Sequence, residues 1–330
     1  MSAIQSSEIR KLALSIASCD QIARATGSNS HSCAKIVAAQ EYLGSEFRQS
    51  PEPWAGNLAE ARVLFVASNP SISEAQLTGE DYPIVGFQDS DFVHPDWHEQ
   101  RIADFHLNRF DQDRERPYVT PGAQFLCRDG AYRGSDQSAP GKGSQTYWRN
   151  AFKEASYVLR RTIDLSNDVC LTEVVHCKTK SETGKDNKPV GLNEALPTCA
   201  GKYLDKILSN SAASLIVISG KVARTAVVQP DQWTPPSQIT WELDRSRFGQ
   251  LPKFKGSPSA HLGIATINGR HAVVCAMRHL SNGYGCGSFV GALGANGAER
   301  LAELIGNIDR GVETVPTSRA GLLRRLGLDE

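Results

Sequence analysis

Four times along the chain the apolar residues close up into a short unbroken run. These are Val63-Leu64-Phe65-Val66-Ala67, Val169-Cys170-Leu171-Thr172-Glu173-Val174-Val175, Leu215-Ile216-Val217-Ile218 and Ala272-Val273-Val274-Cys275-Ala276-Met277. Each has the length of a strand and lacks the polar alternation of a half-exposed one, which suits strands buried on both faces of a parallel sheet. Helical spacing follows or separates them over about 146–163, 194–210, 221–228 and 297–309. Strands alternating with helices predict an α/β fold, a three-layer α/β/α sandwich around a mainly parallel four-stranded sheet.

The remaining segments are placed around that frame. Residues 1–50 have helical spacing and predict an N-terminal helical region, which ends at Ser50-Pro51-Glu52-Pro53 because neither proline suits a helix interior. Residues 79–143 are rich in Gly, Pro and Asp, with one helical pattern near 97–110. A stretch of that length between core elements reads as an insertion, and long insertions are often functional lids. With no internal repeat, residues 1–330 read as a single domain carrying these two additions.

Composition narrows the classes. At 330 residues, 40% apolar and 22% charged, the chain is globular in composition, which excludes a disordered, collagenous or coiled-coil protein. No stretch approaches the ~20 apolar residues of a membrane-spanning helix, so no membrane partner is expected. The formal net charge is zero, yet residues 74–115 hold eleven Asp/Glu against three Arg and no Lys. The compensating positive charge lies beyond residue 116, where a polyanion could bind. Eight irregularly spaced cysteines do not form a disulfide framework. Ile16-Ala17-Ser18-Cys19 has the look of a lipoprotein cleavage box, but the run before it is short and broken by serines. Reduced thiols and a cytoplasmic location are the expectation.

In open parallel sheets ligands bind beyond the carboxyl ends of the strands. Ser68-Asn69-Pro70-Ser71 follows the first run, Glu173 and His176-Cys177-Lys178 lie at and after the second, Gly220-Lys221 follows the third, and Arg278-His279-Leu280-Ser281-Asn282-Gly283-Tyr284 follows the fourth. An amide, a carboxylate and an imidazole are thereby predicted to meet at one sheet edge. Taken singly, an Asn-Pro after a strand is a common turn and a lone histidine is commonly a satisfied, partly buried one.

These segments resemble the uracil-DNA glycosylase superfamily. VLFVASNPS (63–71) is similar to its first motif, a buried strand ending in a Gly-x-Asn-Pro-Gly type of loop; LTEVVHCK (171–178) resembles its Thr-Asn-Val-Val-Lys-Cys strand. Cys199 and its helix, then SLIVISGKVAR (214–224), follow the next crossover, and MRHLS (277–281) is similar to the closing His-Pro-Ser motif. The resemblance runs in order over about 60–285, and it implies a glycosylase-like domain that hydrolyses the N-glycosidic bond of a base flipped out of DNA and leaves an abasic site.

Roles follow from the resemblance. Asn69 would position water near the sugar, and His279 would donate toward the base carbonyl as negative charge collects there. Ser68, Ser71, Arg278, Ser281 and Asn282 would contact DNA, with Tyr284 or Leu280 as a wedge into the vacated stack. Phe87, Phe125 or Tyr147 would stack on the base. No motif places a lysine to attack the sugar, so the implied enzyme is monofunctional.

Glu173 departs from the family, which has Asn there. A carboxylate only accepts, so it would bind the exocyclic amino group of cytosine and disfavour uracil. Alternatively Glu173 points away and ties to Arg278 or Lys178. With the long insertion, the first reading implies a modified cytosine; anti-phage members of the superfamily remove glucosylated hydroxymethylcytosine from phage DNA. Tyr82, Trp97, His98 and His106 are candidates for a lid over the added group. A repair glycosylase for uracil or another deaminated base, and a catalytically inactive nucleic-acid-binding module, stay open as alternatives.

Some members of the superfamily hold a four-iron, four-sulfide cluster on four cysteines. Cys19, Cys33, Cys177 and Cys199 are the residues that resemblance would assign, though a close Cys-x-x-Cys is missing and buried free thiols are the alternative use. Any such cluster would be structural, and catalysis would need no cofactor. His94, His98 and His106 do not share one helix face, so no catalytic metal is expected. Gly291-Ala292-Leu293-Gly294 departs from the dinucleotide fingerprint and predicts a bend, and Pro140-Gly141-Lys142-Gly143-Ser144 lacks the strand and spacing of a phosphate loop.

Overall fold

In the computed structural model all four apolar runs are parallel strands at the centre of one sheet. The structure describes residues 3–39, 50–68, 70–72, 98–111, 124–134, 146–180, 190–228, 239–248, 257–280 and 287–328. Strand β1 is Ala55–Gly56, β2 Val63–Ala67 and β3 Ser71–Ile72; β4 (Gln124–Leu126) and β5 (Tyr132–Gly134) form a separate hairpin within the insertion. Then come β6 (Val169–Glu173), β7 (Thr179–Lys180), β8 (Leu215–Ser219), β9 (Ile239–Glu242), β10 (Leu262–Ile267) and β11 (Arg270–Met277). The main sheet runs β1-β6-β2-β8-β11-β10-β9, with parallel pairing from β6 through β2 and β8 to β11.

Among the described residues the sheet therefore has seven strands, not four. The additional strands, β1, β9 and β10, are all antiparallel. Strand β9 alternates in burial and carries no continuous apolar run. Strands β10 and β11 are joined by Asn268-Gly269, both with positive φ (51° and 79°), the two-residue turn that matches the twist of paired strands.

Helices cover both faces, because successive side chains of a buried strand point opposite ways. Leu64, Val66, Ile216, Ile218 and Val274 face a core shared with α1 (Ala3–Ala17), α2 (Asp20–Ala25), α3 (Ala34–Ala38), α6 (Leu192–Asn210) and α7 (Lys221–Val228). Val63, Phe65, Val217, Val273 and Cys275 face a second core with α5 (Thr146–Leu159), α9 (Phe289–Asp309) and α10 (Arg319–Leu326). Phe65 is fully buried there, and cutting it to Ala should cost ~3–5 kcal/mol. Helix α9 bends at Gly294, as the glycine run predicts.

The N-terminal helices share the first core with the sheet: Ile9, Ile16 and Ile36 belong to it. Within the insertion the helical pattern is α4 (Glu99–Leu107); α8 is Arg245–Phe248. Among the described residues no helix is long and apolar enough to cross a membrane.

Candidate active site

The parallel strands end together, and the backbone continues their pairing past the last strand residues. Ala67 lies in register with Glu173. Val174 N–H then donates to Ala67 O at 2.9 Å and Val175 N–H to Ser68 O at 3.0 Å. Thr179 N–H donates to Pro70 O at 3.3 Å, and β3 pairs with β7 beyond it. Asn69 lies outside the described residues, but both its chain neighbours are fixed to the segment that leaves β6.

Gly220 brings the ends of β2 and β11 together across β8. Its φ of +96° is one that side-chain-bearing residues rarely adopt, and its N–H donates to Met277 O at 3.1 Å. A Cβ at this position would stand 3.2 Å from Ser68 Oγ and 3.3 Å from His279 Cδ2. The missing side chain leaves a space that Ser68 and His279 both border.

His279 is held from both sides. Leu280 N–H donates to Ser219 Oγ at 3.2 Å, and Asn150 Nδ2, from α5, donates to Leu280 O at 2.5 Å. The Tyr147 ring, also from α5, lies 5.2 Å from the imidazole. Burial pushes the His279 pKa below its usual value, so the ring is neutral near pH 7 and donates through one N–H.

Glu173 is buried at the same edge, 5% exposed. Its charge adds to burial in holding the Tyr147 phenol protonated, with the pKa well above normal. The Tyr147 hydroxyl is buried and finds no hydrogen-bond partner among the described residues. A buried hydroxyl costs free energy unless it finds a partner, so this is a donor waiting for one. An acceptor (Glu173), a hydroxyl (Tyr147) and a neutral imidazole (His279) thus belong to one neighbourhood.

The other expectations divide. Ser68 and Arg278 are half-buried at this edge. Ser71 lies in β3 and Phe125 in β4, opposite Arg133. Phe87, Ser281, Asn282, Tyr284, Tyr82, Trp97 and His94 lie outside the described residues. Leu280 does not serve as a wedge: it is fully buried in the second core, because its backbone is pinned by Ser219 and Asn150. His98 stands exposed just before α4, while His106 is buried with Nε2 3.1 Å from Ser50 Oγ.

Sequence reading missed a buried ionic group beneath the site. Glu52 Oε1 accepts from Lys178 Nζ at 2.5 Å and from Arg109 at 3.2 Å, and Arg109 lies 5.1 Å from the centre of the Trp148 ring. It ties the insertion to the exit of β6. The two prolines around Glu52 marked a break but gave no sign of what the carboxylate meets.

Cys19, Cys33, Cys177 and Cys199 line one small cavity, with Ile22, Val175, Ala195 and Tyr203 around them. The Tyr203 hydroxyl donates to Cys19 Sγ at 3.2 Å, and His176 N–H donates to Cys199 Sγ at 3.3 Å. Burial raises the thiol pKa of Cys33 and lifts that of Cys199 to about 12. All seven described cysteines are free of disulfides. Among the described residues no three His, Cys, Asp or Glu side chains converge on a single ion. A polynuclear cluster separates its thiolates further than one ion does, and an all-sulfur donor set in an apolar cavity suits it.

No model of a known protein family and no curated protein matches the chain.

Proposed function

We propose that this chain is a monofunctional DNA glycosylase of the uracil-DNA glycosylase superfamily, acting on a modified cytosine, with glucosylated hydroxymethylcytosine of phage DNA as the leading substrate. The observation that carries this reading is that Ser68 and His279 both border the space at Gly220, at the strand ends where Glu173 is also buried.

The chemistry assigns one task to each group. As the N-glycosidic bond breaks, its electrons go to the departing base and the sugar becomes cationic. His279, neutral and half-buried, donates its N–H to the base oxygen where negative charge gathers. Asn69, between the fixed residues Ser68 and Pro70, holds by its amide the water that adds to the sugar carbon. That water's remaining proton leaves to solvent or to the released base.

Glu173 accepts from the exocyclic amino group of cytosine, and the unpartnered Tyr147 hydroxyl supplies a donor to the same base. Uracil presents a carbonyl where cytosine has its amino group, so the carboxylate disfavours it. The four cysteines would hold an iron–sulfur cluster that fastens the N-terminal helices to α6 and to the exit of β6. The cluster's part is structural. Release of free base from modified, plain and uracil-containing DNA, scored by mass, tests the reading.

A further inference from the structure

We propose that Arg224, in the first turns of α7, is a phosphate-binding residue, and that with Arg278 beside it it receives a phosphate group at the carboxyl edge of the sheet. Arg224 is 1% exposed, and among the described residues neither its Nε nor its Nη2 finds a hydrogen-bond partner. Buried polar groups in folded proteins are satisfied almost without exception, and an uncompensated buried guanidinium is costly. What the side chain lacks is an acceptor.

The surroundings say which kind. Burial, and then the nearby charge of Arg278, lower the Arg224 pKa to about 10. His261, whose Nδ1–H donates to Ala276 O at 3.1 Å, is pushed down by burial and further by Arg224. Two guanidinium groups and an imidazole therefore crowd the end of β11. A water or one carbonyl would fill a hydrogen bond but leave the buried charge of the Arg224 guanidinium without a counter-charge. A phosphate offers several acceptor oxygens with negative charge, and its shape matches the planar donor fork of arginine.

Position suggests the source. Arg224 N–H donates to Gly220 O at 3.2 Å, one helical turn from the glycine that packs against Ser68 and His279. A DNA strand with a nucleotide extruded at that edge would bring a backbone phosphate past this point. Arg278, half-buried, forms the rim through which it would reach Arg224. The backbone source rests on the glycosylase reading; the phosphate site does not.

The test uses the full chain with Arg224→Met and Arg224→Lys. Thermal melting is followed as inorganic phosphate is added to phosphate-free buffer. Binding is measured to oligonucleotides whose linkage beside the target nucleotide is either natural or a neutral methylphosphonate. Inorganic phosphate should raise the melting temperature of the unaltered protein. R224M should lose that response and melt no lower than the parent without phosphate, since a buried unpartnered charge has gone. R224K keeps the charge without the fork and should bind phosphate about tenfold more weakly. If R224M does not fold, R224K carries the test.

The neutral linkage should weaken the unaltered protein by about tenfold and leave R224M unaffected. Should only inorganic phosphate respond to Arg224, the site stands and its ligand is a free phosphate. Arg224-dependent phosphate binding in a protein that releases no base would sink the glycosylase reading and keep the site. A phosphate response in R224M or R224K as large as the parent's, or none in the parent, would overturn the proposal.

Discussion

The imidazole of His279 and the phenol ring of Tyr147 lie with centroids 5.2 Å apart and planes inclined by 35°. One residue follows the last parallel strand and the other opens α5, so two distant parts of the chain fix the orientation of a single ring. His279→Ala should lower turnover by ~10²–10³, the usual cost of deleting one donor to a developing anion. Tyr147→Phe keeps the supporting ring and removes a buried hydroxyl that has no partner among the described residues. It should melt no lower than the parent while losing discrimination between bases, measured by competing substrates. A large fall in its melting temperature would mean the hydroxyl is satisfied within the protein.

Glu173 sets the base preference in this account. Glu173→Asn introduces a group that both donates and accepts, so activity should move from modified cytosine toward uracil. The ratio of kcat/KM for the two substrates is the readout. An unchanged ratio with lowered stability would assign Glu173 to structure alone.

Acidity should weaken the fold through histidines that burial keeps neutral. Burial lowers the pKa of both His279 and His261 below the ordinary 6.5. As pH falls through that value the unfolded chain takes up protons first, so stability drops until the folded-state values are reached and then levels off. Urea midpoints at pH 7.5 and 5.5 should show the lower stability at 5.5. Turnover should fall on the acid side as well, once His279 is charged and its neutral form is lost. A midpoint unchanged or higher at pH 5.5 would contradict the sign.

The cysteine cavity predicts a cofactor that can be seen. Purified without oxygen, the protein should contain about four irons and absorb broadly in the visible range. Cys177→Ser or Cys199→Ser should lose iron and melt well below the parent, because the N-terminal helices lose a tie to the sheet. Colourless, iron-free protein as stable as its serine variants would leave four buried thiols and no cluster.

The fold was legible where burial was complete. Val63–Ala67, Leu215–Ser219 and their neighbours are apolar because helices cover both faces, and that alone marked them as central strands. The edge strands were missed because β9 is buried on alternate residues only, although Asn268-Gly269 is a hairpin signal within the sequence. The place of Glu173 and His279 at the strand ends followed from the same runs. Leu280 was misplaced because apolar character does not tell a wedge from a core residue. The partners of Glu52 and the orphaned donors of Arg224 depend on contacts between residues far apart in the chain, which no local pattern encodes.

The central claim is bond cleavage at an extruded modified base, and product analysis tests it most directly. DNA containing plain cytosine, uracil, hydroxymethylcytosine or its glucosylated form is incubated with the protein and with Asn69→Ala, and free base is identified by mass. The account predicts release of the modified base with an alkali-labile site left in the strand, and little release by the variant despite unimpaired binding. Binding to these DNAs without release of any base would contradict it.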